Sequence, residues 1–188
     1  VGEAPVLDAE RRQITVMFCD LVGSTALAEQ IDPEDLRRLL QAYQKACGTV
    51  MDRYGGHVAQ YLGDGLMTYF GWPQAHEEDA ERAVRASLDI VDAVNAMELH
   101  VRIGIATGPV VVGETGAGDA SVPKLAVGET PNLAARLQGL AGPDEIIVSP
   151  STRRLLGGTF VLADMGAQAL KGIVEPVPAH RVTGLAAT

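Results

Sequence analysis

The chain has 188 residues, 47% hydrophobic and 21% charged, enough to bury one sizeable core and too apolar for a disordered polymer. Its formal net charge of −9 argues against nucleic acid or an anionic membrane as main partner, because neutralising phosphate needs a basic face. A small anion held through metals and backbone amides stays open. No apolar run long enough to span a bilayer and no signal peptide is found, and the two cysteines, Cys19 and Cys47, show no disulfide or zinc spacing. Two buried free thiols in a reducing, cytoplasmic setting are expected. The opening Val1-Gly2-Glu3 lacks a methionine, which suggests a piece of a longer protein fused to other domains.

Residues 1–10 carry no pattern and read as a leader. Gln13 to Cys19 is β-branched and apolar and predicts a buried strand. It runs into Asp20-Leu21-Val22-Gly23-Ser24-Thr25 and a helical stretch through Gln30. A longer helix follows, with Asp32 as N-cap, Pro33 at its first position and Gly55-Gly56 as its stop. Leu36, Leu39, Leu40, Tyr43, Cys47, Val50, Met51 and Tyr54 form its apolar face. His57–Tyr61 and Leu66–Phe70 predict a hairpin, with Asp64-Gly65 at its tip. A helix is expected from His76 to Ala96, then a strand over Leu99–Ala106 and a separate one over Val110–Val112, after Gly108-Pro109. Gly113–Pro123 reads as a projecting loop or loose hairpin. Beyond it come a short apolar Leu125–Val127, a helix over Glu129–Leu140, a strand over Glu145–Val148, a short helix over Pro150–Leu156, and strands and loops to the end. This order predicts an α+β fold: a ferredoxin-like βαββαβ-type core, a mostly antiparallel sheet covered by helices, and a C-terminal αβ extension.

Two aspartates stand out. Asp20 closes a buried strand at the start of a helix, where free N–H groups favour an anion; phosphate plus metal suits the place, and so does a plain N-cap. Asp64 sits in a hairpin turn, where turn chemistry alone explains an aspartate. Together they can converge two carboxylates on one point. Mg2+ accepts that kind of site, with waters and substrate phosphates completing its shell.

At this point the sequence resembles a known family. Phe18-Cys19-Asp20-Leu21-Val22-Gly23-Ser24-Thr25 and Tyr61-Leu62-Gly63-Asp64-Gly65-Leu66 resemble the two metal motifs of class III adenylyl and guanylyl cyclases. Val127 to Leu137, with Gly128, Asn132 and Arg136, resembles that family's Gly-x-x-x-Asn-x-x-x-Arg helix. Leu170-Lys171-Gly172 resembles its late lysine-glycine motif. The four occur in family order across nearly the whole chain. The resemblance implies a catalytic domain over 11–184 and a tail over 185–188. It implies a nucleoside triphosphate substrate, two divalent ions (Mg2+ or Mn2+), and in-line attack of the ribose 3′-hydroxyl on the α-phosphorus with loss of pyrophosphate. Asp20 and Asp64 resemble the metal ligands, with the carbonyl of Leu21 completing one shell. The backbone of Val22, Gly23, Ser24 and Thr25 would cradle the β- and γ-phosphates. Asn132 resembles the residue that positions the ribose, Arg136 the one that stabilises charge at the α-phosphate, and Lys171 the γ-phosphate contact. The family builds such sites between two chains, so a homodimer with shared active sites is implied.

The purine-selecting positions depart from the family. A lysine is usual where Gln60 stands, and an Asp, Thr or Ser where Leu125 stands; guanine-selecting members place Glu and Cys there. Gln60 can donate and accept, so cyclic AMP formation from ATP is the first expectation and a GTP or dual activity the second. A silent regulatory module is a third. A diguanylate-cyclase relative is a more distant fourth, its Gly-Gly-Asp/Glu-Glu-Phe hairpin being absent. The four histidines lack metal spacing, and His76 before Glu77-Glu78-Asp79 reads as helix-start chemistry.

Overall fold

The first strand explains most of the architecture. In the computed structural model, which describes residues 10–114 and 124–187, β1 spans Glu10–Leu21. It pairs antiparallel on one side with β3 (Gly65–Phe70) and on the other with β4 (Val101–Glu114). Its centre is apolar on both faces because both faces are covered. Met17, Cys19 and Leu21 enter one core, with Tyr43, Cys47, Val50 and Met51 of α2 (Pro33–Tyr54) and the apolar face of α3 (Asp79–Asn95). Ile14 and Val16 enter a second core on the opposite face, beneath Ala134 and Leu137 of α4 (Glu129–Leu140). Asp20 shares the parity of Ile14 and Val16, so it faces α4. Both cysteines are buried and free.

The remaining elements are α1 (Ser24–Gln30), β2 (His57–Leu62), β5 (Lys124–Val127), β6 (Ile146–Val148), α5 (Pro150–Leu156), β7 (Phe160–Gln168) and β8 (Val177–Leu185). The sheet order is β2-β3-β1-β4-β6-β8-β7, with β5 beside β4. Only β4 and β6 run parallel among these pairs. The βαββαβ core is therefore present, with β2-β3-β1-β4 as its sheet and the later strands as the extension.

Several local expectations hold in detail. The Asp32 side chain accepts from the Glu34 amide at 3.1 Å, Pro33 begins α2, and Gly55 ends it in the left-handed region at φ 74°. His76 does act at a helix start, its amide donating to the Asp79 carboxylate at 2.9 Å. Others shift. The strand expected over Gln13–Cys19 extends at both ends, and α3 begins at Asp79 rather than His76. The hairpin turns on Gly63-Asp64, not Asp64-Gly65, because Leu62 already pairs with Gly65 and Gly63 supplies the positive φ of 67°. The two strands expected around Gly108-Pro109 are one, β4. On the side away from β1 its partners are β6, ending at Ile105↔Val148, and β5, starting at Val111↔Val127. Pro109 falls in the gap between them, where a missing N–H breaks no ladder. β4 and β5 form an antiparallel hairpin with Glu114 opposite Lys124. Residues 115–123 of the expected loop, and residues 1–9 of the leader, lie outside the described residues.

Candidate active site

The two aspartates meet where β1 and β3 end together. Asp20 pairs with Gly65, the residue after Asp64, and the Leu21 amide donates to the Asp64 carbonyl at 3.0 Å. Gly65 makes this approach feasible: a Cβ there would lie 2.8 Å from the Cys19 carbonyl oxygen and 3.3 Å from the Asp20 Cβ. The chain then turns through Gly23, at φ 73°, into α1. The Ser24 hydroxyl thereby reaches the Asp64 carboxylate and donates to it.

Both carboxylates are half-buried. Burial pushes the Asp20 carboxyl above its ordinary range, and the charge of Asp64 pushes the same way; the Gln138 hydrogen bond and the Arg102 charge pull it down. Arg102 stands opposite Asp20 in register, with its Nε buried and unpartnered among the described residues. The direct side-chain donors to the two aspartates are neutral, Ser24 to Asp64 and Gln138 to Asp20 at 2.6 Å. Two close carboxylates held by neutral donors fit a divalent cation, which relieves their repulsion. Among the described residues there is no group of three or more His, Cys, Asp or Glu that could hold a metal ion; a pair of carboxylates is the usual protein share of a Mg2+ site, whose shell is otherwise water and phosphate.

The other motif residues do not join them. Thr130, Pro131, Ala134 and Leu137 bury the inner face of α4, and Asn132 and Arg136 are exposed. Arg136 leaves the helix about 200° around from Gln138, at 3.6 residues per turn. Lys171 is exposed in the β7–β8 connection. Its level follows from register: His180 lies beside Val148, Val148 beside Ile105, and Ile105 beside Met17. β8 is thus parallel to β1, and its first residue, Val177, paired with Gln168, sits toward the Arg11 end. Lys171 is therefore at the opposite end of the sheet from Asp20, with β4, β6 and β8 between their strands. Gln60 is half-buried on β2 opposite Met67, just past a bulge. Leu125 lies on β5 opposite Gly113. In the Leu21–Thr25 segment the Val22 amide is already bonded to the His100 carbonyl at 2.9 Å.

The sequence motifs do not reveal Gln138 or Arg102. A lone arginine in the apolar run Val101–Ile105 is a weak signal; nothing local marks Gln138, whose partner is 118 residues away.

Residues 7–183 match the family described as the adenylate and guanylate cyclase catalytic domain. The chain belongs to that family. It is 33% identical over 190 residues to the uncharacterized protein R02095 of Rhizobium meliloti, covering 97% of this chain and 18% of the relative. It is 31% identical over 142 residues to adenylate cyclase 1 of the same organism, covering 70% and 21%. The chain thus spans about a fifth of the length of these relatives. Among solved structures it resembles the adenylyl cyclase CyaB of P. aeruginosa, with TM-score 0.89 and 30% identity over 94% of this chain and 96% of that one. It resembles the guanylyl cyclase Cya2 equally, with TM-score 0.89 and 29% identity over 95% of each. Within this cyclase domain, the aspartate pair lies at one end of the sheet and Asn132 and Arg136 on the exposed face of α4.

Proposed function

We propose that the domain converts ATP to 3′,5′-cyclic AMP and pyrophosphate at sites shared between two copies, with two divalent metal ions. The observation that carries this reading is the separation just described. Asp20 and Asp64 converge at one end of the sheet, while Asn132 and Arg136 face outward and Lys171 lies at the other end. A head-to-tail pair of chains brings the two sets together. The same chemistry within one chain would need Lys171 to cross the sheet.

In this reading Asp20, Asp64 and the Leu21 carbonyl hold the two ions. When bound, such ions favour ionisation of the ribose 3′-hydroxyl and neutralise the departing pyrophosphate. Asn132 of the second copy orients the ribose. Arg136, always protonated and rigidly forked, stabilises charge building on the α-phosphate. Lys171 holds the γ-phosphate. The turn from Gly23 to Thr25 lies against the β- and γ-phosphates; Val22, its amide already committed, shapes that turn without donating. The protein mainly positions and stabilises charge. Gln60 and Leu125 flank the base.

A GTP-using or dual enzyme is the second reading. The Gln60 amide donates and accepts, and the resemblance to guanylyl and adenylyl structures is equal. ATP is preferred because relatives called adenylate cyclase occur among both sequences and structures. No helix among the described residues is long and apolar enough to cross a membrane, and a cytoplasmic domain regulated by attached segments fits this enzyme. The test is purified protein with Mn2+ or Mg2+ and either ATP or GTP, reading cyclic nucleotide and pyrophosphate by chromatography. Cyclic AMP as major product is expected. Cyclic GMP as major product selects the second reading, and no product from a verified dimer overturns both.

A further inference from the structure

Gln138 belongs to none of the sequence motifs, yet its side-chain Nε2 donates to Asp20 Oδ1 at 2.6 Å. Three features make this contact a placed one. Ala134 and Leu137 are fully buried, which fixes the rotation of α4 about its axis. Gly104 fixes its height: a Cβ there would lie 2.2 Å from the Gln138 backbone nitrogen and 2.8 Å from its Cα, so only a glycine lets the helix settle at this depth. Gln138 itself is half-buried, which limits the positions its amide can occupy. A neutral donor suits the task. It orients the Asp20 carboxylate without cancelling the charge a cation needs, whereas Lys or Arg would compete with the cation and an apolar residue would let the carboxylate swing.

Gln138 and the pair Asn132 and Arg136 share one helix and leave it in different directions. We infer that Gln138 is a positioning residue acting in cis, fixing the Asp20 carboxylate of its own chain for metal binding, while Asn132 and Arg136 of the same helix serve the other copy's site. The second half rests on the shared-site cyclase reading; the first does not. Hydrogen-bonding partners of a ligating carboxylate typically contribute about 10- to 100-fold to metal affinity or activity.

The test substitutes Gln138→Met, which keeps the length and removes the donor, and Gln138→Asn, which keeps a shortened amide. Mn2+ binding to the nucleotide-free chain, read by electron paramagnetic resonance of free Mn2+, is expected to weaken about 10-fold in the Met variant and less in the Asn variant. In turnover, the Mn2+ concentration for half-activation rises, and the KM for ATP at saturating Mn2+ stays within about two-fold. Unchanged Mn2+ affinity in a folded Met variant overturns the inference, whatever happens to thermal stability. Direction is read in mixed dimers of an Asp64→Ala chain with an Arg136→Ala chain. Gln138→Met is expected to slow the pair when it is carried by the Arg136→Ala chain, which supplies the aspartates. Carried by the Asp64→Ala chain, it should give the rate of the parent pair. Loss that follows the Asp64→Ala chain, or both chains equally, overturns action in cis. An inactive parent pair defeats the shared-site reading instead and leaves the Mn2+ result to decide the role of Gln138.

Discussion

The Asp20 end of the sheet and the outward face of α4 carry the same family signature in opposite physical states. At the first, two carboxylates are half-buried and hydrogen-bonded to Ser24 and Gln138, with the backbone fixed by Gly63 and Gly65. At the second, Asn132 and Arg136 stand exposed, as does Lys171 beyond it, and among the described residues their side chains make no hydrogen bond or ion pair. On the proposed shared-site reading, carboxylates that hold a cation are costly to leave loose and the fold preorganises them, while groups that serve a second copy's substrate can stay in water until it arrives. That reading makes one half of the site intrinsic to the chain and the other half something it lends.

The largest test of that contrast is Arg136→Ala. It should lower turnover about 1,000-fold, as for a charge-stabilising arginine in phosphoryl chemistry, while the urea midpoint of unfolding stays unchanged because the side chain is exposed. A large loss of stability would mean that Arg136 is structural. Mixing Arg136→Ala with Asp64→Ala protein should then recover about a quarter of wild-type activity, the share expected from random pairing in a two-fold dimer with two sites. No recovery breaks the division into intrinsic and lent halves. Gly104→Ala should cost about 3 kcal/mol of folding stability through overpacking, read by denaturant unfolding, and should lower turnover as well because it lifts α4 from its seat against β4. Thr107→Val interrupts a buried hydroxyl chain in which Thr15, Thr107, Thr152 and Ser149 follow one another at 2.9 Å. The expected cost is about 1–2 kcal/mol, with turnover per folded molecule unchanged.

The smallest effect concerns His57, on β2 against Tyr69 and Trp72. Burial holds its pKa below the ordinary 6.5. The folded chain therefore takes up the proton less readily than the unfolded one. This contribution to stability is intact above about pH 6.5 and is lost as pH falls from there through the folded-state value, by under about 1 kcal/mol for a half-buried ring. His57→Gln should flatten that part of the stability curve; an unaltered slope would show that another group titrates there.

Much of this was legible from the chain alone, for identifiable reasons. Asp32, Pro33 and Gly55 mark α2 because capping chemistry is local. Asp20 and Asp64 stand out because strand ends and turns leave a local signature. The split of β4 at Gly108-Pro109 was misread because proline's cost depends on which side of the strand has a partner, and that is decided by β5 and β6. The turn position was misread by one residue because Gly63, as well as Gly65, can take the positive φ, and pairing of Leu62 with Gly65 made the choice. Gln138 and Arg102 depend on how α4 and β4 sit against β1, which no short window contains.

That seat has a consequence for how the protein can change. In a two-fold dimer with shared sites, each α4 is a beam bearing on two reaction centres, and each centre is carried by two beams. The clearance under the beam is set by one absent methyl group, at Gly104. A single substitution there would register twice in every centre, once through the aspartate it steadies and once through the arginine arriving from across the dimer. Such a position has little room for gradual drift.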